Sequence, residues 1–207
     1  GGKNGIIEAD DVTLDYVKQR TDAPYKVYHS DDDAKYFFKK TYNASEMEPV
    51  VAKPHSPDNK AKVSECVDVK LDRAYIGSCT GGKITDFIAA ARHLKGKKVK
   101  IDTFIVPATR EVEQDLYKEK IGGESLMDIF KSSGAYLGEP SCAACLGGPK
   151  DTFGRATDNQ VVISTTNRNF PGRMGSKQSQ VYLASPYTAA ASALTGHITN
   201  PAEFINN

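Results

Sequence analysis

From residue 67 onward, short apolar segments alternate with segments of helical period, and this alternation constrains the fold more than any other feature. Residues 73–77 and 99–106 are mostly apolar and predict strands, whereas apolar side chains at helical spacing fill 84–94. Alternating strands and helices are typical of a mostly parallel sheet covered on both faces. We therefore expect an α/β domain with three layers, helix, sheet and helix.

Residues that favour helix ends give further elements clear limits. Thr109, Ser125 and Ser185 can each cap the start of a helix, and Gly134 and Gly196 can each end one. Additional extended segments are predicted at 67–71, 160–164 and 180–184. The order of elements contains no internal repeat.

The first part of the chain is polar, rich in charge and dotted with proline. Weak helices are predicted at 13–19 and 31–39, the second beginning with a run of three aspartates. The opening residues have neither a basic segment nor an apolar core of the kind found in signal peptides. We expect residues 1–45 to be the end of a preceding domain and a connector, and residues 46–207 to be the principal domain.

Charge and hydropathy exclude two classes of partner. The chain has 27 basic and 26 acidic residues, for a net charge of +1, so no global field favours nucleic acid or an anionic membrane. The longest uncharged run that is mostly apolar, 181–198, contains serine, threonine, proline, glycine and histidine and cannot be a membrane span. We expect a soluble protein that meets any anion locally.

Four cysteines in 207 residues are too few for a disulfide scaffold and favour a reducing compartment. Cys66 lies in the charged connector, where we expect a free thiol. Cys79 lies in a glycine-rich turn between a strand and a helix, where the helix dipole favours a thiolate. That turn lacks the spacing of a phosphate-binding P-loop.

Cys142 and Cys145 form a CxxC pair that a Gly-Gly-Pro sequence follows closely. Such a pair can be a redox couple, half of a zinc site or half of an iron–sulfur site. Zinc needs four ligands, and Cys79 brings the count to three. Three cysteines on loops without a fourth partner match a [4Fe–4S] cluster with one open corner, whose free iron acts as a Lewis acid.

A third turn, 164–175, carries Arg168 and Arg173 among asparagine, threonine and glycine residues. Arginine binds carboxylates with two parallel hydrogen bonds, whereas lysine offers only a point charge. In a chain of nearly neutral charge, this pair indicates a local site for a di- or tricarboxylate.

Three motifs in this order resemble the aconitase superfamily. They are Gly77-Ser78-Cys79-Thr80, Cys142-Ala-Ala-Cys145-Leu-Gly and Thr166-Asn-Arg-Asn-Phe-Pro-Gly-Arg173. The variants at 164–175 and 182–196 are most similar to the isopropylmalate isomerases, in the plant-type form of their large subunit. The resemblance covers essentially the whole chain.

The resemblance implies a hydro-lyase of leucine biosynthesis that interconverts 2-isopropylmalate and 3-isopropylmalate through an unsaturated intermediate. The implied site residues are Cys79, Cys142 and Cys145 as ligands of a [4Fe–4S] cluster, Arg168 and Arg173 for the dicarboxylate substrate, and Asn167 as a hydrogen-bond partner near the cluster sulfurs. It also implies a small subunit, in a heterodimer or heterotetramer, that supplies a serine as general base.

The chain departs from the resemblance in length, because a large subunit of this kind is more than twice as long. We therefore expect the chain to contain the cluster domain and the end of the preceding domain. We assign no catalytic acid or base within it and expect it to be inactive alone. The compartment implied is the cytoplasm of a bacterium or the plastid stroma of a plant or alga. Two alternatives stay open: aconitase or homoaconitase with a tricarboxylate substrate, and a non-catalytic module that binds zinc or RNA.

Overall fold

A computed structural model describes residues 4–204 of the chain. By its backbone packing the chain divides into two compact units, Gly1–Glu46 and Met47–Asn207. Across the residues described, no helix combines the length and the apolar character needed to cross a membrane.

The first unit has little regular structure. Helix α1 (Asp11–Lys18) starts at Asp10, whose carboxylate accepts a hydrogen bond from the Thr13 N–H at 2.8 Å. This helix confirms the predicted one at 13–19, but it buries no residue. The second predicted helix, at 31–39, is wrong: that segment forms turns and bends, and its aromatic residues Phe37 and Phe38 are exposed. Without a core to pack against, its helical propensity does not suffice. The origin of residues 1–45 in a preceding domain stays a prediction.

The second unit is built on a seven-stranded sheet with a separate two-stranded hairpin. The strands, in chain order, are β1 (Val50–Ala52), β2 (Lys60–Lys62), β3 (Arg73–Gly77), β4 (Asp102–Val106), β5 (Lys120–Ile121), β6 (Glu124–Ser125), β7 (Tyr136–Leu137), β8 (Val161–Ser164) and β9 (Gln180–Leu183). The order in the large sheet is β2-β1-β9-β8-β3-β4-β7, and β5 pairs with β6.

Five strands of the large sheet run parallel, and only the β1–β2 hairpin introduces antiparallel pairs. Strand β3 is central, with Tyr75 in register with Phe104 on one side and Ser164 on the other. The predicted strand at 67–71 is not formed. Lys70 makes only an isolated bridge with His197.

Helices cover one face of this sheet. They are α2 (Ser78–Gly81), a single turn, and α3 (Ile84–Leu94), α4 (Arg110–Lys118), α5 (Leu126–Ser133) and α6 (Pro186–Thr195). Apolar side chains from α3 to α6 pack with every second residue of the strands, including Ala74 and Ile76 of β3. Burial of this apolar surface is the main driving force for the fold.

The other face of the sheet is covered by the segment between β7 and β9. This layer contains a 3₁₀ helix, Ala144–Leu146, and irregular loops. Ala144, Ala156 and Met174 of this segment form a second apolar cluster with Tyr75 and Phe104 from the sheet. The mostly parallel sheet between two layers confirms the predicted α/β class, with loops in place of most of one helical layer.

The predicted helix limits are confirmed. Thr109, Ser125 and Ser185 each accept a hydrogen bond from a backbone N–H in the first turn. Gly134 and Gly196 follow their helices with φ angles of 89° and 83°, a left-handed conformation that favours glycine.

The cap of α6 provides a test of the fold. Alanine at Ser185 removes the hydroxyl that accepts from the Thr188 N–H at 3.2 Å. We expect S185A to lower the free energy of unfolding by about 1 kcal/mol, and S185D to retain most of it because aspartate caps as well as serine. Urea unfolding followed by circular dichroism measures both, and an equal loss in both variants would contradict the capping role.

Candidate functional site

The direction of the chain through the sheet reverses at β3. From β3 the chain adds β4 and β7 on one side and then returns to add β8 and β9 on the other. In open α/β sheets such a switch point opens a crevice at the carboxyl ends of the strands, where ligands bind. Cys79 follows β3, and Asn167 and Arg168 follow β8, so these residues flank that crevice. Cys142 and Cys145 follow β7 at the same edge.

The turn that carries Cys79 is strained and tightly packed. Ser78 has a φ of 70°, an unusual value for a residue other than glycine, and it is buried. A Cβ atom at Gly81 would overlap the Thr165 side chain, so only glycine permits this approach. Backbone strain of this kind concentrates at functional sites. The Cys79 side chain itself is exposed.

Thr165 joins the Cys79 turn to the end of β8. Its hydroxyl accepts a hydrogen bond from the Gly77 N–H at 2.9 Å and lies 3.3 and 3.2 Å from the carbonyls of Gly77 and Gly81. Its own N–H donates to the Tyr75 carbonyl at 3.0 Å. Only the position of Thr165 directly after a predicted strand could have indicated this role from the sequence.

The CxxC pair lies on the loop face of the sheet. Cys142 is exposed, whereas Cys145 is buried within the 3₁₀ helix. Gly147 turns the chain with a φ of 69°, and a Cβ there would lie 2.7 Å from the Gly172 carbonyl oxygen. The cysteine loop therefore packs directly on the loop that carries Arg173.

Arg155, which the sequence did not single out, supports the same loop. Its Nε donates to the Gly148 carbonyl at 2.9 Å, three residues beyond Cys145. Its own carbonyl accepts a hydrogen bond from the Arg73 guanidinium.

Arg173 contacts one of the cysteines. Its Nη2 lies 3.7 Å from the Cys145 Sγ, and its Cζ lies 5.6 Å from the centroid of the Phe170 ring. Its Nε is buried without a hydrogen-bond partner among the residues that the structure describes. The structure thus brings together two of the predicted site residues.

Asn167 and Arg168 stand apart from these contacts. Both are exposed, and neither side chain has a hydrogen bond or salt bridge within residues 4–204. Their groups are accessible to a ligand in the crevice.

Asn169, between them and Arg173, has a structural role instead. It is buried, and its amide nitrogen donates to the carbonyls of Lys53 at 2.9 Å, Val181 at 3.1 Å and Ala52 at 3.4 Å. It ties the arginine loop to β1 and β9.

The pKa of one buried tyrosine responds to all three of the predicted ligand cysteines. Burial raises the pKa of the Tyr75 hydroxyl, and the charges of Cys145, Cys142 and Cys79 raise this pKa further. Tyr75 also belongs to the same apolar cluster as Ala144, the residue directly before Cys145. Cys66 is different: it is a free thiol, as predicted, but it belongs to the core on the helical face rather than to a connector, and burial raises the pKa of its thiol.

The donor set fits an iron–sulfur cluster. Three thiols lie at one edge of the sheet, and the Nε of Arg173, whose guanidinium contacts Cys145, is buried with no partner in the described part of the chain. Hydrogen bonds to the sulfurs are typical of such clusters. Within residues 4–204, no three His, Cys, Asp or Glu side chains converge closely enough for a single metal ion. A [4Fe–4S] cluster would instead be held by the three thiolates of Cys79, Cys142 and Cys145.

These features define an α/β protein whose site, made of thiols and arginines, lies at the switch point of a parallel sheet. Residues 64–196 match the aconitase family, described as aconitate hydratase. The chain belongs to this family.

Three relatives are similar over nearly the whole chain, and each is named as a 3-isopropylmalate dehydratase large subunit. The chloroplastic protein of Arabidopsis thaliana is 56% identical over 99% of this chain and 42% of its own length. The proteins of Pyrococcus abyssi and Heliobacterium modesticaldum are 45% and 48% identical over 99% and 98% of this chain, and over 48% and 47% of their own lengths. The chain thus spans less than half the length of these curated relatives.

Two asparagines of the arginine loop make a matched test of its architecture. Aspartate at Asn169 would place a carboxylate against three carbonyl oxygens in a buried position, so we expect N169D to destabilise the chain by about 3–5 kcal/mol. Aspartate at the exposed Asn167 should change stability by less than about 0.5 kcal/mol. Urea unfolding at pH 7 compares the two, and similar stabilities would contradict the anchoring role of Asn169.

Proposed function

We propose that this chain forms the cluster-binding part of a hydro-lyase that isomerises 2-isopropylmalate to 3-isopropylmalate, by dehydration and rehydration, in leucine biosynthesis. The observation that carries the proposal is the contact of Arg173 with Cys145, at the edge of the sheet where the turns after β3 and β7 carry the three thiols. The names of the three relatives support the choice of substrate within the family.

Cys79, Cys142 and Cys145 are the proposed ligands of a [4Fe–4S] cluster. Each lies on a turn at the carboxyl edge of the sheet, and the glycines at 81 and 147 allow these turns to pack closely against their neighbours. When bound, the cluster supplies a Lewis-acidic iron at its open corner, which helps a poor leaving group such as hydroxide to depart.

Arg168 and Arg173 would bind the two carboxylates of the substrate. Arg168 is exposed at the crevice, and Arg173 lies against a ligand sulfur, so together they can orient a dicarboxylate toward the cluster. The amide of Asn167 would donate a hydrogen bond near the cluster sulfurs. These residues bind and orient; none of them is an evident proton acceptor.

The proton acceptor would come from a small subunit, the partner that the relatives' names as large subunits support. The chain alone would then be inactive. The chloroplastic name of the Arabidopsis relative supports the plastid stroma as the compartment.

One observation favours a second candidate, because the matched family is described as aconitate hydratase. A tricarboxylate would engage the same arginines. Assays of the complete enzyme with isopropylmalate and with citrate separate the two candidates by substrate alone.

The ligand assignment is tested by anaerobic reconstitution with iron and sulfide. We expect a brown protein for the wild-type chain and for C66S, because Cys66 lies in the core on the other face of the sheet. We expect no stable cluster in C79S, C142S or C145S, because each variant lacks one thiolate. Iron and sulfide analysis with visible spectroscopy measures the outcome; a cluster lost in C66S and kept in C79S would overturn the assignment.

The role of Arg173 is tested in the enzyme assembled from its complete large and small subunits. Lysine keeps the charge but loses the paired hydrogen bonds, worth about 1.5–3 kcal/mol. We expect R173K to lower kcat/KM by about one to two decades with little change in melting temperature. R92K, at an exposed position of α3, is the control. Unchanged kinetics in R173K would mean that this arginine does not bind substrate.

A further inference from the structure

Tyr75 places a hydroxyl group in the interior of the protein, where no described residue forms a hydrogen bond with it. The side chain is fully buried, and its hydroxyl has no hydrogen-bond partner among the described residues. A buried polar group left without a partner costs about 1–3 kcal/mol, and native proteins rarely keep one without a reason. None of the roles proposed above uses this group.

The position of Tyr75 in β3 determines where its side chain points. Alternate residues of a strand face opposite sides of the sheet. Ala74 and Ile76 face the helices, so Tyr75 faces the loop layer. There it packs with Ala144, the residue directly before Cys145.

The ring is held firmly in this orientation. A Cβ at Gly154 would lie 2.9 and 3.0 Å from the Tyr75 ring carbons Cε2 and Cδ2. The loop backbone therefore packs closely against the ring. Phe104, the neighbour of Tyr75 in register, belongs to the same cluster. The side chain has little freedom to turn its hydroxyl elsewhere.

The Cys145 thiol belongs to the surroundings of the hydroxyl. Cys145 is buried in the loop layer that the Tyr75 ring faces, and the negative charge of its thiolate adds to burial in raising the pKa of the Tyr75 hydroxyl. The phenol O–H is a hydrogen-bond donor, and a metal-bound thiolate is an acceptor.

We propose that the Tyr75 hydroxyl donates a hydrogen bond to the Cys145 thiolate when the cluster is bound, and so acts as a positioning residue for the cluster. The inference rests on the proposed function, because it requires the cluster to be present. The bond fixes the Cys145 sulfur, which Arg173 also contacts from the other loop. A hydrogen bond to a ligand sulfur withdraws electron density from the cluster. The bond from Tyr75 therefore also raises the reduction potential of the cluster.

The test removes the hydroxyl alone. Y75F and Y182F are compared with the wild-type chain after anaerobic reconstitution. Tyr182 is a suitable control because it lies in the same sheet but packs in the core on the helical face, with Cys66. One measurement is the midpoint potential of the cluster from a redox titration followed by electron paramagnetic resonance. The other is the melting temperature of each chain without iron.

We expect Y75F to bind the cluster with a lower midpoint potential. At a fixed potential, the ratio of reduced to oxidised cluster should fall about tenfold, equal to a shift of about 59 mV for one electron. Y182F should match the wild type. Without iron, Y75F should melt no lower than the wild type, because the variant loses only an unpartnered polar group.

Two results would overturn the inference, and they differ in what they say of the proposed function. If the wild-type chain holds a cluster and Y75F has the same potential, Tyr75 is a packing residue and the proposed function stands. If the wild-type chain binds no cluster under conditions that keep it folded, the cluster assignment fails and the inference fails with it.

Discussion

The hydrogen bonds of one hydroxyl group hold the candidate site together. Thr165 bridges the end of β8 to the turn after β3, and these two turns form the walls of the crevice at the switch point. The backbone groups of the two turns lie beyond the last hydrogen bonds between the strands. Strand pairing alone would therefore leave the turns free to separate. The Thr165 hydroxyl satisfies those groups and fixes the Cys79 turn beside the arginine loop. Gly81 permits the approach, and Ser78 in the same turn has a positive φ.

A second constraint arranges the rest of the site. The arginine loop, residues 164–175, must pack against two neighbouring parts of the domain. Asn169 anchors it to the carbonyls of β1 and β9, and Gly172 meets the cysteine loop at Gly147. Arg173 is therefore held against Cys145, while Arg168, before the anchor, stays exposed. A fixed guanidinium next to the Cys145 sulfur and a free one at the rim suit the proposed role of the two arginines, which is to hold a dicarboxylate in one orientation.

The sequence predicted the local elements of the second unit well, because their signals are local. The caps at Ser125 and Ser185 and the helical period at 84–94 need only neighbouring residues. The failures have non-local causes. The segment 31–39 lacks a core to pack against, and 67–71 lies where only one bridge forms. In the site, side-chain types pointed to the cysteines and arginines. Thr165, Asn169 and Arg155 were missed because they contact residues far away in sequence that only the fold brings near. Tyr75 was missed because its burial on the loop face depends on the same packing.

The distribution of positive charge shows how a nearly neutral chain can leave a cation exposed at the crevice. The lysine-rich segment after α3 could suggest a surface for polyanions. Its side chains instead reach the ends of helices: Lys97 lies 3.3 Å from the His93 carbonyl of α3, and Lys98 lies 2.6 Å from the Ser132 carbonyl of α5. Positive charges at the carboxyl ends of helices bond to free carbonyl groups and interact favourably with the helix dipole. The exposed guanidinium of Arg168 has no such partner in the part of the chain that is described. A carboxylate in the crevice therefore meets a positive charge that the protein does not already neutralise.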